Sequence, residues 1–514
     1  MAFVNSEGNY NLNLLANIAN QQKPMVIPEQ QNGGAKPSTN SEGNYNLNLL
    51  ANIANQQKPM VIPEQQNGGA KPSTNSETTN SRKKYQHSHL TNIRYPYAKS
   101  WDKRNTYVEF ELANVHFSTC NAIRRLMISR VNTVGFRTEP YTACDIEVKT
   151  NDTPLHNQFA LHRTAMVPIH VTKPDSFNID DYLFIIDVEN NTNSIITITT
   201  EHFQIKQVST NKMLSKEEVK KFFPPDPITG DYLILNKLRP KFFVPSKKVS
   251  REVVDEMNKD FNKLNTGEDI MRFHIEGKAS ISNGAENGHY SPVSCACYIN
   301  TIDPEKATFA RKEYINKENE IAKLKNVVPM TPEQLSRRFD LTEMARFFYT
   351  NDKEEPNVFT FKIETVGVIP SLIIFHRAID ILKDKIATFV SNLIMKNEKV
   401  ITIKASTNLN GGYEIIVQDE DDTLGNIIQS HLCLLYADYN LPKEKRKLKY
   451  IGYKRPHPLE KHIIFAVQGE TENQEELLND ILKPGCMEIL KMLNKIQNEL
   501  EGTPQFINEL KMIS

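Results

Sequence analysis

The first candidate for chemistry is the acidic run from Asp419 to Asp422, which stands directly before Thr423. Neighbouring carboxylates could bind Mg²⁺, because this ion prefers oxygen ligands. The same run also suits a helix N-terminus, where carboxylates meet the positive end of the helix dipole and a side-chain oxygen caps free amides. A capped, solvated helix start therefore competes with a magnesium site as the interpretation of these residues.

Cysteine offers a second kind of metal ligand. The sequence contains 6 cysteines, and Cys295 and Cys297 are the one close pair. In an extended strand both would point to the same face, but a zinc site needs about four ligands, and no CxxC motif or histidine pair supplies the rest. We therefore predict no metal here and expect small buried apolar cysteines of a reduced, intracellular protein.

Basic residues provide the candidates for binding. Arg124 and Arg125 lie beside the apolar stripe of a predicted helix that Ser118 or Thr119 would cap. They are either solvated surface charges or anchors for the carboxylates of a partner, which the planar guanidinium pairs bidentately. The basic loop from Lys443 to Lys449 could bind nucleic acid, although most such loops are only solvated.

Composition and motifs exclude several classes of function. The sequence shows no catalytic triad, no phosphate-cradling glycine loop and no paired-carboxylate metal motif, so we expect no active site in this chain. Its 62 basic and 62 acidic residues give a net charge of zero. The chain as a whole is therefore not attracted electrostatically to nucleic acid or to an anionic membrane. Because a signal-peptide pattern and any apolar run of about 18 residues are missing, we expect a soluble protein that is not secreted.

Two helices with apolar residues at alternating steps of three and four organise the chain. They are predicted from Pro370 to Glu398 and from Cys486 to Leu500, and each closes a segment that begins with strand-like sequence. The pattern predicts two α+β modules docked through these helices, whereas two unrelated amphipathic helices would show the same spacing. A break is expected at Pro484 and Gly485, before the second helix. The apolar positions are Leu372, Phe375, Ile379, Leu382, Ile386, Phe389 and Leu393 in the first helix and Cys486, Ile489, Leu493, Ile496 and Leu500 in the second.

Strand and turn patterns divide the ordered part of the sequence into two modules and an insertion. Residues 88–144 and 290–396 are predicted to form the first module, and residues 397–514 the second. Between the two parts of the first module, residues 145–289 are predicted to form a separate inserted α+β domain. That domain would include a polar surface helix from Arg251 to Leu264.

The N-terminal part of the sequence contains a tandem repeat. Residues 6–40 recur letter for letter as residues 41–75. Both copies are rich in Asn, Gln, Gly and Pro, which cannot stack a continuous core, so we predict a disordered tail over residues 1–87. The alternative is a pair of short partner-binding helical turns built on Leu12, Leu15, Ile18, Leu47, Leu50 and Ile53.

The second module resembles subunit eleven, the small member of the α-like pair of multisubunit RNA polymerases. That family shows an acidic EDHTLGN helix start followed by GYxxPHP, and this sequence has EDDTLGN from Glu420 to Asn426 and GYKRPHP from Gly452 to Pro458. Asp422 stands where the family usually has His, and the capping residues are retained. The matching motif positions are Thr423, Gly425, Asn426, Gly452, Tyr453, Pro456, His457 and Pro458.

The first module resembles subunit three, the larger member of that pair, and bacterial α. The matching pieces are Asn121–Leu126, His162–Arg163 followed by Val167–Ile169, Gly288–Pro292 and Phe361–Gly367. In the family, such modules dimerise through heptad helices, so the resemblance implies an intramolecular interface that also takes in Leu424 and Ile428. It further implies partner-binding roles for Asn121, Arg124, Arg125, His162 and Arg163, with the two arginines facing the second-largest subunit.

This resemblance implies a non-catalytic assembly platform of a DNA-directed RNA polymerase, on which the second-largest and then the largest subunit dock. Small polymerase subunits would be further partners, DNA would be contacted only through the complex, and no cofactor or membrane would be bound. The inserted domain lacks the cysteine cluster that many relatives use for zinc or an iron–sulfur cluster, so no metal is expected there. The competing functions are a nucleic-acid-binding adaptor that uses residues 443–449 and an enzyme within the insertion.

The sequence carries both partners in one chain and is rich in Asn and Lys. This pattern resembles that of proteins from large cytoplasmic DNA viruses. The expected locations are therefore the cytoplasm of an infected host cell and the virion. A cellular protein of this family would instead be nuclear.

Overall fold

The computed structural model describes residues 89–98, 105–192, 194–239 and 271–513. The predicted disordered tail, its tandem repeat and the polar helix expected from Arg251 to Leu264 lie outside these residues. None of the helices within the described ranges has the length and apolar character needed to cross a membrane.

The described elements alternate between antiparallel sheets and helices. In chain order the strands are β1 (Leu90–Arg94), β2 (Tyr107–Ala113), β3 (Thr133–Gly135), β4 (Ile146–Asn151), β5 (Tyr182–Asn190), β6 (Ile196–Thr199), β7 (Gln204–Gln207), β8 (Lys212–Met213), β9 (Ile234–Leu238), β10 (Met271–Gly277), β11 (Ser280–Ser282), β12 (Val293–Asn300), β13 (Val358–Thr365), β14 (Ile401–Ala405), β15 (Tyr413–Gln418), β16 (Leu448–Lys454) and β17 (His462–Gly469). The helices are α1 (Phe117–Ser129), α2 (Asn157–Ala165), α3 (Lys216–Phe222), α4 (Pro304–Leu324), α5 (Pro332–Thr342), α6 (Ser371–Ile394), α7 (Asp422–Leu432), α8 (Lys483–Glu501) and α9 (Pro504–Ile513).

The first sheet has the strand order β1-β2-β13-β12, with every neighbouring pair antiparallel. Alternate residues of β2 and β13 point to its inner face, as the period of two in their sequences predicts. There the ring of Phe110 stacks on Phe361, with centroids 5.3 Å apart, and meets the edge of Phe375 from α6 at 4.8 Å. Helices α1 and α6 thus cover the inner face of this sheet.

The second sheet has the order β14-β15-β17-β16, and α7 packs against it. Its buried residues belong to the same continuous apolar core as those of the first sheet. Within this core α6 packs on α8, and α1 packs on α7. Every predicted apolar position of the two long helices is buried, and Leu424 and Ile428 are completely buried.

A separate apolar core lies between β3 and β11 in the chain. It is built on a five-stranded sheet of order β4-β10-β5-β7-β8. Val134 and Phe136 belong to this core although they precede Asp145, where the insertion was predicted to begin. Strand β3 also pairs with β11, so the chain joins this core shortly after α1 ends.

The predicted break before the last long helix is wrong. Residues Leu477–Leu482 form a wide π-helical stretch that runs directly into α8 at Lys483. Pro484 is tolerated because it lies in the first turn of α8. Its missing amide N–H removes no regular α-helical hydrogen bond there. Gly485 is needed for close packing, since a Cβ there would lie 2.1 Å from Cδ2 of Leu432 on α7.

Candidate functional site

The acidic run forms the start of α7 and contacts the first module. Asp421 is the N-cap residue, and its Oδ1 accepts a hydrogen bond from the amide of Thr423 at 2.8 Å. Burial opposes ionisation of Asp421, but the hydrogen bonds from Thr423 and the charges of Lys385 and Arg125 outweigh it and lower the pKa of this carboxyl group. The structure therefore shows the capped helix start that the sequence offered as one interpretation.

Three carboxylates of the run, those of Glu420, Asp421 and Asp422, face basic residues. Lys385 on α6 forms an ion pair with Glu420 at 2.7 Å, and both side chains are only 17% exposed. Arg130 approaches Asp421 at 3.7 Å, and Arg455 approaches Asp422 at 4.0 Å. Among the described residues, no three His, Cys, Asp or Glu side chains gather into a group that could hold a metal ion.

The two arginines of α1 turn in different directions. The Nε of Arg125 donates to Oγ1 of Thr423 at 2.9 Å, so this side chain links α1 of the first module to α7 of the second. Arg124 instead donates from Nε and Nη2 to Oδ1 of Asn121, at 3.1 and 2.9 Å, on the partly exposed side of the same helix. Both side chains are half-buried, and of the two only Arg125 donates a hydrogen bond to the second module.

The cap of α1 differs from the prediction. His116 is the N-cap residue, and its Nδ1 accepts from the amide of Ser118, whereas Thr119 is buried against the second module. Oγ1 of Thr119 lies 2.8 Å from Nε2 of His431 on α7. The prediction of Ser118 or Thr119 as the cap was wrong because the helix already begins at Phe117, which places both residues in its first turn.

His431 lies in an environment that disfavours its charged form. Burial, reinforced by the nearby His116, lowers the pKa of His431 to about 4. Burial also lowers the pKa of His116, whose ring centroid is 6.1 Å from that of His431. The contact between α1 and α7 therefore contains two histidines that the fold holds neutral.

His162 and Arg163 form bonds within the inserted segment. Nε2 of His162 lies 2.9 Å from a carboxylate oxygen of Glu139. Arg163 donates to the backbone carbonyls of Leu235 and Ile234, both at 2.8 Å. These contacts tie α2 to neighbouring segments, and they involve different elements from those that hold Asn121 and Arg124.

Gly425 and Tyr453 join the two motifs of the second module. A Cβ at Gly425 would lie 2.5 Å from Cδ2 of Tyr453, so the tyrosine ring packs directly on the backbone of α7. The Pro456–Pro458 segment forms an exposed turn, in which Arg455 donates to the carbonyl of Pro458 at 2.6 Å. The glycine is thus required for close contact rather than for a special backbone conformation.

A polar cluster flanks the apolar contact between α6 and α8. Gln497 on α8 accepts a hydrogen bond from Lys383 at 2.6 Å and donates to Asp380 at 3.0 Å, while it is only 8% exposed. His376 lies 2.8 Å from Glu501 on the same side. Sequence reasoning missed Gln497, although a polar residue next to Ile496 in a helical apolar stripe is a signal that could have identified it.

A second set of polar contacts, here called the terminal clamp, consists of Tyr95, Glu499 and Glu509. The buried carboxylate of Glu509 on α9 accepts hydrogen bonds from the amides of Leu372 and Ile373 at the start of α6, at 2.8 and 3.3 Å. It also accepts from the hydroxyl of Tyr95 at 2.6 Å. Burial raises the pKa of Glu509, although these hydrogen bonds oppose the shift.

Glu499 completes the terminal clamp from α8. Its Oε2 accepts from the amides of His89 and Leu90 at the start of β1, at 2.7 and 2.9 Å. The clamp therefore fastens β1 to α8 and α9, which lie at the opposite end of the chain. It was not predicted, because nothing local in the sequence indicates contacts between residues so far apart.

In the basic loop, residues 443–449, two of the lysines have contacts within the chain that compete with binding of nucleic acid. Lys443–Lys445 forms a short 3₁₀ turn, and Leu448 already begins β16. Lys449 lies 3.9 Å from Glu470, and Lys447 lies over the ring of Tyr436. The Glu470 carboxylate offsets part of the positive charge of Lys449, whereas the ring of Tyr436 neutralises no charge.

The expectation of buried cysteines is wrong for the close pair. Cys295 is exposed and Cys297 is half-buried, because both point to the outer face of the first sheet on its edge strand β12. Their sulfur atoms lie 3.9 Å apart. The alternation of a strand places Ala296, rather than the thiols, toward the core.

Comparison with known families accounts for both modules. A family model described as the RNA polymerase Rpb3/Rpb11 dimerisation domain matches residues 109–386, more than half of the chain. A second model with the same description matches residues 413–499. The chain therefore belongs to the RNA polymerase Rpb3/Rpb11 dimerisation family, and it carries two matches to it.

Individual relatives match over shorter stretches. Subunit 3 of DNA-directed RNA polymerases II, IV and V from Arabidopsis thaliana is 33% identical over 79 residues, which are 15% of this chain and 23% of that protein. Subunit Rpo3 of the DNA-directed RNA polymerase from Pyrococcus furiosus is 30% identical over 94 residues, 17% of this chain and 33% of that protein. Subunit 3B of Arabidopsis RNA polymerases IV and V is 29% identical over 80 residues, 16% and 23% of the two chains. The matched stretches thus cover no more than about a third of the length of each of these relatives.

Proposed function

We propose that this chain is a non-catalytic assembly subunit of a DNA-directed RNA polymerase in which both members of the α-like pair are fused. One observation carries the proposal: the two segments that match the dimerisation family share a single continuous apolar core. In that core α6 packs on α8 and α1 packs on α7, so each module supplies the partner surface that the other needs. The inserted α+β domain has its own core and leaves this contact intact.

The proposed role of this paired module is a platform for the second-largest and then the largest catalytic subunit. Small polymerase subunits would bind afterwards, and DNA would be contacted only through the assembled enzyme. The placement of Arg124 supports a docking role, because it is held by Asn121 on the partly exposed side of α1. Arg125 is proposed to act indirectly, since its contact with Thr423 orients the two modules.

Affinity purification followed by mass spectrometry and a promoter-independent transcription assay tests this function. We expect two very large polymerase subunits and RNA synthesis in the eluate. Arg124→Glu should leave the chain folded and reduce recovery of the second-largest subunit at least about tenfold, because charge reversal replaces an ion pair with repulsion. Lys312→Glu, an exposed charge reversal on α4, is the matched control. Equal recovery with both variants would remove the assignment of Arg124, and a chain that brings down no polymerase subunits would remove the platform function.

We further propose that the chain comes from a large cytoplasmic DNA virus, acts in the host cytoplasm and enters the virion. The two family matches within one chain and the Asn- and Lys-rich composition support this source. Fractionation of infected cells and mass spectrometry of purified particles would test the location. Recovery of the chain only in nuclei of uninfected cells would contradict it.

A further inference from the structure

The edge strand β12 presents two thiols that the proposed function does not use. Cys295 and Cys297 share the outer face of the first sheet, and the Cys295 thiol donates weakly to the sulfur of Cys297 across 3.9 Å. The remaining cysteines within the described ranges, Cys120, Cys144, Cys433 and Cys486, form no comparable pair.

The geometry favours a chelate over a disulfide. Alternate residues of an extended strand lie about 6.6–6.8 Å apart at their Cα atoms, which is the upper end of the range that disulfides span. One ion that lies about 2.3 Å from each sulfur atom can bridge two sulfurs that are up to about 4.6 Å apart. The observed separation of 3.9 Å therefore allows one ion to bridge both sulfur atoms without movement of the strand.

The charges around the pair indicate which kind of ion it would take. Lys362 on β13 is the cross-strand neighbour of Cys297, and its ammonium group also lies 3.8 Å from Glu109. A monovalent ion held by two thiolates leaves a complex of charge −1, which the Lys362 cation stabilises. A divalent ion would leave a neutral complex that gains nothing from this cation.

The number of ligands gives the same indication. Glu364 is the cross-strand neighbour of Cys295, yet the described side chains form no group of three metal ligands at this position. Zinc takes four ligands in structural sites, whereas soft thiolate ligands also select Cu(I). A site with two thiolates beside the cation of Lys362 suits a soft monovalent ion best.

We propose that Cys295 and Cys297 form a bidentate dithiolate site for a soft monovalent metal ion of the Cu(I) type. Binding breaks two S–H bonds, forms two S–Cu bonds and releases two protons, with no transfer of electrons. The site lies on β12, away from the inserted segment. It is independent of the assembly function, because it needs only this chain.

The test is competition for Cu(I) between the full-length reduced chain and the chromogenic chelator bicinchoninate under anaerobic conditions. We expect the chain to withdraw one tight equivalent of Cu(I). Cys295→Ser and Cys297→Ser should each weaken that binding about 100-fold, because each converts a two-point chelate into a single contact. Cys433→Ser, which removes an exposed cysteine on another surface, is the control and should bind like the wild type.

Two further results would decide the assignment. Lys362→Gln should weaken Cu(I) binding several-fold and leave Zn²⁺ binding unchanged, because only the monovalent complex carries a net charge. Withdrawal of equal Cu(I) by wild type and Cys295→Ser would overturn the site. Displacement of Cu(I) by equimolar Zn²⁺ would overturn the assignment to a monovalent ion.

Discussion

The contact between Thr119 and His431 predicts a specific loss of stability in acid. In the folded chain the pKa of His431 is lowered to about 4 by burial and by His116, while its ordinary value is 6.5. Between pH 4 and pH 6.5, His431 therefore binds a proton in the unfolded chain but not in the folded chain. Its full contribution to the free energy of unfolding is present only above pH 6.5. It is lost as the pH falls from 6.5 toward 4.

The size of this effect follows from the two pKa values. A histidine with these values costs about 2 kcal/mol of folding free energy between pH 7 and pH 5. His116 adds to the loss in the same direction, since its pKa is also lowered. Urea unfolding of the wild type at both pH values, read from the midpoint and slope, measures the change in the free energy of unfolding.

The comparison variant is His431→Gln, which cannot titrate but can keep a hydrogen bond to Thr119. We expect its free energy of unfolding to fall by about 2 kcal/mol less than that of the wild type between pH 7 and pH 5. A second variant, His457→Gln, removes an exposed histidine of the Pro456–Pro458 turn and should behave like the wild type. The reasoning is refuted if His431→Gln and the wild type lose the same stability on acidification.

Two other contacts give predictions of stability. Glu509→Ala leaves the amides of Leu372 and Ile373 and the hydroxyl of Tyr95 buried without their acceptor, so it should destabilise the chain by about 3 kcal/mol. Glu509→Gln keeps an acceptor oxygen and should cost only about 1 kcal/mol; equal urea midpoints for these two variants would contradict the clamp. Gly425→Ala should destabilise by about 1–2 kcal/mol, because overpacking against the Tyr453 ring exceeds the gain in helix propensity. In a Tyr453→Ala background the same substitution should become stabilising, and an unchanged sign would show that the ring is not the obstacle.

Sequence periodicity predicted the elements whose partners lie in the same apolar core. Steps of three and four residues identified Leu372 to Leu393 and Ile489 to Leu500 as buried helix faces, because burial of one face requires that spacing. The start of α5 also carries a local signal in the sequence, since Thr331 and Gln334 form a capping box whose hydrogen bonds join residues three positions apart.

The contacts that join distant segments could not be predicted in this way. The hydrogen bond between Tyr95 and Glu509 joins residues 414 positions apart, and nothing near either residue signals the other. Arg124 and Arg125 look equivalent in sequence, yet their orientation depends on where α7 lies. The cysteine pair was misjudged for a related reason, because alternation shows that two residues share a face but not which face is covered.

The terminal clamp has a consequence for how this protein responds to dilution. Two separate chains that form a pair obey mass action, so their dimer dissociates as the protein concentration falls. Here β1 of the first module is fastened to α8 and α9 of the second, and both modules share a core within one polypeptide. The equilibrium of this pairing is therefore independent of protein concentration, and each ribosome that finishes the chain delivers both halves in equal number.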